Sequence, residues 1–312
     1  MVDYSFQEGL PAGFDSAFEA GMFFSQRHLA LQANTGWHSF VALDHKNKKI
    51  NGTVHYHVEG LHAQSPFRSS YGSFIFSQDM SSDILKEFVN YTESQLKAKG
   101  VNTFLLKNAP KAYAPAEIEL LENTLLELEY NVELEEVSSI IPIGDASFES
   151  LLHRSQKKRI RKCRESGLVF EFLPLDQVEE VYGLLKSMRE EKSYSLSMSL
   201  DNIKRTISVF PDNFFLSVVK DGTKKVAANI SIKVNAKTLY NFYHDHLSSY
   251  DSVSPVVLLN GGLYEFCQQQ GFALLDLGTS TVEGQLDSPL FDFKCRLGGR
   301  PSTKRTFVKK LL

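Results

Sequence analysis

The same order of predicted helices and strands occurs in both halves of the chain, and this repeat restricts the fold more than any other feature. In the first half, a helical pattern ends at Gly100 and an apolar strand follows at Val101–Leu106. In the second half, a helical pattern ends at Gly271 and an apolar strand follows at Phe272–Leu277. A strand meander precedes each pair, and a further helix and strand follow it. Glycine ends many helices, so the glycines alone indicate little, but the shared order predicts a duplicated α/β fold.

The chain length agrees with two lobes. It has 312 residues, and single hydrophobic cores stop growing at roughly 250–300 residues. Pro142, Gly144 and Asp145 interrupt the pattern near the middle, as residues that break helices and strands do. We therefore expect an N-terminal lobe at residues 1–144 and a C-terminal lobe at residues 145–312.

Hydrophobic periodicity places the elements of the N-terminal lobe. Helices are predicted at Phe14–Leu31, Ser81–Lys99 and Glu117–Leu128. Strands are predicted at Ser39–Asp44, Ile50–His57, Tyr71–Phe76, Val101–Leu106 and Val132–Ile143, of which the first two form a hairpin.

The C-terminal lobe is read in the same way, and the turns at 221–222 and 235–237 join three of its strands into an antiparallel meander. Helices are predicted at Phe148–Ser166, Asp176–Glu191, Leu200–Val209, Pro255–Gln270 and Ser288–Leu297. Strands are predicted at Leu168–Leu173, Phe214–Val219, Lys225–Val234, Thr238–His246, Phe272–Leu277 and Thr303–Lys309. Each lobe is thus expected to hold a mixed, mainly antiparallel sheet flanked by helices.

Composition limits which cellular compartment and which classes of binding partner are expected. The net charge is -3, from 34 basic and 37 acidic residues, so no global field attracts nucleic acid or an anionic membrane. Cys163, Cys267 and Cys295 are far apart and form no C-x-x-C pair, which argues against a disulfide framework or a structural zinc site. No basic signal-peptide region and no run of 18 apolar residues occurs. We expect a cytoplasmic protein without a membrane span or a metal.

Three stretches of sequence carry more specific information. Residues 65–74 read Ser-Pro-Phe-Arg-Ser-Ser-Tyr-Gly-Ser-Phe, and residues 155–167 read Ser-Gln-Lys-Lys-Arg-Ile-Arg-Lys-Cys-Arg-Glu-Ser-Gly. Residues 271–280 read Gly-Phe-Ala-Leu-Leu-Asp-Leu-Gly-Thr-Ser, and Phe293-Lys294 and Gly298-Gly299 follow. With the element order of the second half, these stretches resemble the FemAB-like and BioF2-like acyltransferase branch of the GNAT (acyl-CoA N-acyltransferase) superfamily. The resemblance spans nearly the whole chain and implies two tandem GNAT-like lobes.

This resemblance implies an N-acyltransferase that moves an acyl or aminoacyl group directly to an amine. Acyl-CoA is the expected co-substrate, and the acceptor is expected to be a small molecule or an amine like that of a cell-wall precursor. Its predicted place is the cleft between the lobes or the second lobe.

Two departures from the family pattern bear on the donor. The usual pyrophosphate loop, Arg or Gln-x-x-Gly-x-Gly or Ala, is replaced by Ser248–Pro255, so aminoacyl-tRNA stays open as a donor. A long coiled-coil arm is also missing, because only Lys192–Ser199 separates two helices. That omission favours a thioester over tRNA.

The catalytic candidates lie at two predicted strand ends. Tyr243, His244, Asp245 and His246 end one strand, with His244 and His246 on one face and the other two on the opposite face. In a GNAT-like fold an opening is expected between this strand end and the one near Leu277, where an extended pantetheine-like arm binds. Tyr243, His244 or Asp245 is a candidate to deprotonate or orient the acceptor amine, or they are only polar tips of the strand.

Asp276 is the fourth catalytic candidate, since a carboxylate within the apolar run 273–277 needs a partner or a cleft. Its structural alternative is to cap the turn at 278–280. Lys294 is expected to bind an anionic group or to pair with Asp276.

Further residues are candidates for binding donor or substrate. They are Arg68 and Tyr71 beside the acceptor cleft, Arg159 and Arg161 in the basic run 154–164, His246, Ser280 and Lys294. The basic run supplies enough charge to bind phosphates of CoA, a nucleotide-linked acceptor or tRNA, although such runs are usually solvated helix faces. The alternative to an enzyme is a catalytically silent GNAT-like module that binds an anionic ligand through this helix.

Overall fold

The computed structural model describes residues 4–311, and their contacts divide the chain into two compact units. The first unit holds residues up to 137 together with 302–312, and the second unit holds residues 138–301. This division differs from the limits predicted at residue 144, because the last strand of the chain returns to the first unit. The two units are described separately below.

The first unit contains most of the predicted elements and some additional strands. Its helices are α1 (Gln26–Gln32), α2 (Ser82–Ala98) and α3 (Pro115–Glu127). Its strands are β1 (Tyr4–Glu8), β2 (Asp15–Ser16), β3 (Trp37–Asp44), β4 (Lys49–Glu59), β5 (His62–Ser65), β6 (Phe74–Phe76), β7 (Thr103–Lys107), most of β8 (Asn131–Pro142) and most of β16 (Arg300–Lys310).

The sheet of the first unit has the strand order β1-β3-β4-β5-β7-β16-β8. β3 pairs antiparallel with β1 and β4, β4 with β5 and β6, and β16 with β7. β5 runs parallel to β7, and the short β2 runs parallel to β4. Helix α2 begins at the N-cap Ser81, whose hydroxyl accepts the Ile84 N–H, and it buries Leu85, Phe88 and Leu96 against the sheet. Those side chains follow the helical spacing on which the prediction rested.

The prediction of one helix at Phe14–Leu31 is wrong. The segment forms the short strand β2, then a 3-10 turn at Met22–Phe24 and finally α1. Asp15 pairs with Lys49 beside β4, and Ser25 starts α1 by accepting the His28 N–H. Phe14 and Phe18 pack on Val41, Leu43 and Ile50, so these apolar side chains are partly buried without a helix.

The second unit follows the predicted order closely. Its helices are α4 (Phe148–Leu151), α5 (Arg154–Glu165), α6 (Val178–Glu190), α7 (Leu200–Val209), α8 (Pro255–Gln270) and α9 (Ser288–Arg296). Its strands are the end of β8, β9 (Val169–Leu173), β10 (Phe214–Asp221), β11 (Lys224–Asn235), β12 (Thr238–His246), β13 (Leu274–Thr279), β14 (Thr281–Val282) and β15 (Gln285–Leu286). The predicted helix at Phe148–Ser166 is interrupted, because His153 leaves the helical conformation and caps α5.

The sheet of the second unit has the order β8-β13-β12-β11-β10-β9. β12 and β13 are parallel, and the other pairs are antiparallel. Helix α8 lies against this sheet and is buried over most of its length, so it shows almost no amphipathic stripe. Gly262 allows the ring of Phe170 to approach closely, since a Cβ there would lie 2.3 Å from that ring.

No helix within residues 4–311 combines the length and the apolar character needed to cross a lipid bilayer.

Candidate functional site

β12 and β13 run side by side over their first residues and then separate. Pairing begins at Thr238 with Leu274 and ends at Tyr240 with Asp276. β12 continues to His246 and β13 to Thr279, and within the described chain no pairing between them is found past Asp276. The pairing thus stops in the region where the sequence predicted an opening, and β13 extends to Thr279 instead of Leu277.

A bulge reorients the end of β12. Ile230 of β11 faces Tyr243 and the next residue, Ser231, faces Asn241, so Phe242 is the extra residue. Such a bulge bends and twists its strand, and here it falls where β12 leaves β13. The rings of Phe242 and Tyr243 stack at 4.0 Å. Four of the predicted site residues, 243–246, follow directly after this bend.

Tyr243 and Asp245 contact the segment between α6 and α7. The Tyr243 hydroxyl accepts the Met198 N–H at 2.9 Å and bonds to the Ser197 hydroxyl. Burial raises the pKa of Tyr243, so its phenol stays protonated at neutral pH. The Lys192 ammonium donates to the Asp245 carboxylate and to the His246 carbonyl. Both side chains thus hold residues 192–198 over the strand end.

The pKa values of His244 and His246 are both lowered, which favours the neutral form of each ring. Burial, together with the positive charges of Lys294 and Arg189, lowers the pKa of His244 to about 3. Its Nδ1 atom is buried and has no hydrogen-bond partner among the described residues. Burial also lowers the pKa of His246, whose Nε2 lies 2.9 Å from Asp251 Oδ1. His244 is therefore a neutral imidazole at physiological pH.

Asp276, Ser280 and Lys294 meet at the end of β13. The Asp276 carboxylate is buried, and its Oδ1 accepts the Gly278 N–H at 2.7 Å. The Lys294 ammonium donates to the carbonyls of Gly278 and Thr279 at 3.0 and 2.7 Å. Burial lowers the pKa of Lys294 to about 8, although the charge of Asp276 opposes that shift. The turn-capping bond that the sequence left as the structural alternative for Asp276 is thus present.

Ser280 adds an unused hydroxyl at the same strand end. The residue is fully buried, at 0% exposure, and its Oγ atom has no partner within residues 4–311. Buried polar groups without partners are uncommon. The hydroxyl of Ser280 and the Nδ1 of His244 are therefore both suited to a bound polar group.

Residues 247–254, in place of the missing pyrophosphate loop, lead from β12 into α8. Ser254 is buried in a left-handed conformation with φ 59°, and Pro255 begins the helix. Lys162 of α5 donates to the carbonyl of Ser252 at 3.0 Å. The loop therefore presents a carbonyl to a lysine, and Pro255 has no N–H to offer an anion.

The remaining predicted site residues lie on other elements. Arg159 and Arg161 are exposed on α5, where Arg161 pairs with Glu165 at 3.4 Å. Arg68 and Tyr71 lie in the first unit. The Arg68 guanidinium stacks on Phe67 at 4.5 Å, and the buried Tyr71 packs edge-on against Tyr113 at 5.6 Å. Their predicted roles in binding stay predictions.

Sequence reasoning missed Arg189 and Lys192. Arg189 lies near the end of α6 with its guanidinium over the Tyr243 ring at 5.4 Å, and Lys192 follows that helix. In the sequence they belong to the run Arg-Glu-Glu-Lys at 189–192, which is typical of a solvated helix end. No local pattern separates them from surface charges. Among the described residues, no group of three or more His, Cys, Asp or Glu side chains could hold a metal ion.

The sequence matches no family model and no curated protein, but solved structures resemble the whole chain. FemX superposes with a TM-score of 0.70 at 10% identity over 94% of each chain. L-PGS from Bacillus licheniformis gives a TM-score of 0.56 at 11% identity over 93% of this chain and 87% of that one. A tandem GNAT protein from the clavulanic acid biosynthesis pathway gives 0.52 at 9% identity over 99% of each.

At such low identities these likenesses show the fold alone. The chain has the tandem GNAT fold in the form that FemX also has. The predicted fold class and the predicted resemblance to the FemAB-like branch are confirmed at this level. A shared fold does not determine a reaction, so activity is argued from the site.

Proposed function

We propose that this protein is an N-acyltransferase that moves an acyl group from acyl-CoA to an amine at the separated ends of β12 and β13. The separation of these two strands carries the proposal. Past Tyr240 and Asp276 each strand continues without the other as partner. An extended amide-containing chain such as pantetheine can bind backbone groups in a gap of this kind, as an added strand does.

The side chains at the gap have the polarity that direct transfer needs. When an amine attacks a thioester, its nitrogen bonds to the carbonyl carbon, the carbon–sulfur bond breaks and the nitrogen loses a proton. In our proposal the neutral imidazole of His244 accepts a hydrogen bond from the amine and orients it, and the proton that the nitrogen loses goes to the departing thiolate, which leaves as a thiol. The Lys294 ammonium has three N–H bonds, of which two reach Gly278 and Thr279. The third is offered to the negative charge that develops on the carbonyl oxygen.

Asp276 acts on this arrangement through its neighbours. Its carboxylate fixes the Gly278 N–H, and its charge favours the protonated form of Lys294. We therefore assign Asp276 as a positioning residue and not as the base. Tyr243, Asp245 and His246 hold the surrounding segments in our proposal, while Ser280 contacts donor or acceptor.

The proposal agrees with the proteins that share the fold. One of these is called a tandem GNAT protein, another is called L-PGS, and a third is the C-terminal domain of a putative lysylphosphatidylglycerol synthetase. Those names describe the neighbours and support transfer chemistry here only through the shared fold.

Binding and transfer can be tested together with purified protein. Coenzyme A is expected to raise the unfolding temperature, and transfer from acetyl-CoA to a panel of amines is expected by mass spectrometry. Asp276→Asn keeps the size of the side chain but removes its charge, so it should reduce transfer at least about tenfold while costing little stability. Absence of both the thermal shift and transfer would refute acyl-CoA as the donor. Equal losses of activity and stability in Asp276→Asn would show that Asp276 only caps the turn at Gly278.

A second donor, aminoacyl-tRNA, is favoured by one observation on α5. Arg154, Lys157, Lys158 and Arg159 are exposed, and no acid within residues 4–311 forms an ion pair with them. Phosphates bind such basic faces, and binding then weakens steeply as salt rises. Transfer from aminoacyl-tRNA that is lost in Lys157→Gln/Lys158→Gln, with acetyl-CoA inactive, would select this donor. Activity with acetyl-CoA alone would exclude it.

A further inference from the structure

Arg189 is an arginine that lacks a carboxylate partner in a place where other charges are paired. Its Nε atom is buried without a hydrogen-bond partner, and no acid within residues 4–311 forms an ion pair with it. Its contact is the Tyr243 ring, at 5.4 Å from the guanidinium carbon. An arginine fork is built for planar, two-oxygen anions, so the missing partner points to a ligand.

The acids near the strand ends are already engaged by other groups. Asp245 binds Lys192, Asp251 binds His246, and Asp276 accepts the Gly278 N–H. Asp287 caps α9 by accepting the Leu290 N–H. None of these acids forms an ion pair with the Arg189 guanidinium, so its fork is left to an anionic ligand.

Unpartnered polar atoms accompany this charge. The Nδ1 of His244 and the Oγ of Ser280 are buried without partners, and both belong to the strand ends that separate. Arg189 contacts the ring of Tyr243, which is next to His244 in β12, and Lys294 binds the carbonyl of Thr279, which is next to Ser280. The surroundings of Arg189 are thus those of a built site and not of a solvated surface.

We propose that Arg189 binds a carboxylate of the acceptor, so that the acceptor is an amino acid or a peptide-like amine and not a simple alkylamine. This inference rests on the proposed function, because it assigns a substrate class to the same site. The carboxylate would lie on the guanidinium fork, stacked above Tyr243. The amine would then point toward His244 and the acyl carbonyl, which is held near Lys294.

A matched pair of amines tests the inference directly. The acceptor 4-aminobutyrate differs from 4-aminobutanamide only in carrying a carboxylate in place of a carboxamide. Binding of each is followed by NMR, using the Arg Nε–H signals and the backbone amides of 243–246 and 278–280. A charged hydrogen bond contributes about 1.5–3 kcal/mol, so 4-aminobutyrate should bind roughly 10-fold to 100-fold more tightly.

Variants separate the role of Arg189 from general charge effects. Arg189→Gln should remove the preference for the carboxylate, and Arg189→Lys, which keeps the charge without the fork, should retain only part of it. Arg205→Gln removes an exposed arginine of α7 and should leave the preference unchanged. Equal affinity for the two amines in the wild-type protein, or a preference that survives Arg189→Gln, overturns the inference.

Transfer assays with the same two amines distinguish this inference from the proposed function. Transfer from acetyl-CoA that does not discriminate between them would sink the carboxylate site and leave the acyltransferase standing. A carboxylate preference in binding that depends on Arg189, without transfer from any thioester or aminoacyl-tRNA donor, would support the carboxylate site and refute the acyltransferase.

Discussion

At the scale of single residues, the sequence showed that Asp276 needed an explanation but not which one. A carboxylate inside an apolar strand must be paired because its burial is costly, and the structure supplies the Gly278 N–H and the nearby charge of Lys294. The partner of Lys294 could not be predicted, because it is a pair of backbone carbonyls. Which carbonyls turn toward a side chain depends on the backbone conformation at Gly278, where φ is 78°.

The lowered pKa of Lys294 predicts a specific dependence of stability on pH. Its pKa is about 8 in the folded protein and 10.5 as the ordinary value. Between these values the unfolded chain binds more protons than the folded one, so this residue's contribution to the free energy of unfolding rises with pH. At about 1.36 kcal/mol per pKa unit, the difference in stability between wild type and Lys294→Met should shift by about 3 kcal/mol in favour of wild type from pH 8 to 10.5.

Urea unfolding at several pH values measures this shift. Lys186→Met provides the matched control, because Lys186 is an exposed lysine of α6 and its removal should give a difference that does not vary with pH. A pH-independent difference for Lys294→Met as well would show that the buried ammonium is not destabilised as described.

At the scale of elements, the predictions were accurate where the signal in the sequence is local. The limits of β12 and α8 match the predicted ones, because a period-2 strand and a proline-led helix are local signals. The helix prediction for residues 14–31 failed because Phe14 and Phe18 are partly buried through contacts with β3 and β4, which lie later in the chain. The bulge at Phe242 could not be predicted either, since it is defined by the register of β12 against β11.

A buried chain of asparagines fixes β12 close to this bulge. The Asn229 side chain donates to the Asn241 side-chain oxygen and to the Tyr243 carbonyl at 3.0 Å. Asn241 donates to Asn260 of α8 at 3.1 Å, and Asn260 donates to the Val256 carbonyl at 2.8 Å. All three side chains are almost fully buried. The network ties the end of β12 to β11 on one side and to the first turns of α8.

Replacing one asparagine of this network should lower the free energy of unfolding more than replacing two asparagines that bind each other. Asn241→Leu leaves Asn260 without its donor, so we expect a loss of about 2 kcal/mol in the free energy of unfolding. The double variant Asn241→Leu/Asn260→Leu replaces two facing amides by apolar groups and should recover part of that loss. Urea unfolding measures both, with Asn202→Leu on the exposed face of α7 as control. Additive losses in the double variant would contradict a coupled network.

At the scale of the whole molecule, the repeated order of elements predicted a duplicated α/β fold, and the family resemblance implied two tandem GNAT-like lobes. The likeness to FemX and to a tandem GNAT protein confirms this fold. The place of the last strand could not be predicted in this way. Hydrophobic alternation identifies Thr303–Lys309 as a strand but does not specify its partners. The structure places β16 between β7 and β8, so the end of the chain completes the sheet of the first unit.

This position makes the first unit depend on the last residues of the chain. Phe307 is fully buried in its core, Lys309 binds the buried Glu93 at 2.8 Å, and Arg305 binds Glu122 at 3.0 Å. A chain that ends at Pro301 would leave β7 and β8 without the strand between them, and its first unit should lose its cooperative fold. Hydrogen exchange should then show β3, β4 and β7 unprotected, whereas a chain that ends at Lys310 keeps all of β16 and should stay protected. Equal protection in the two chains would mean that the sheet of the first unit closes without β16.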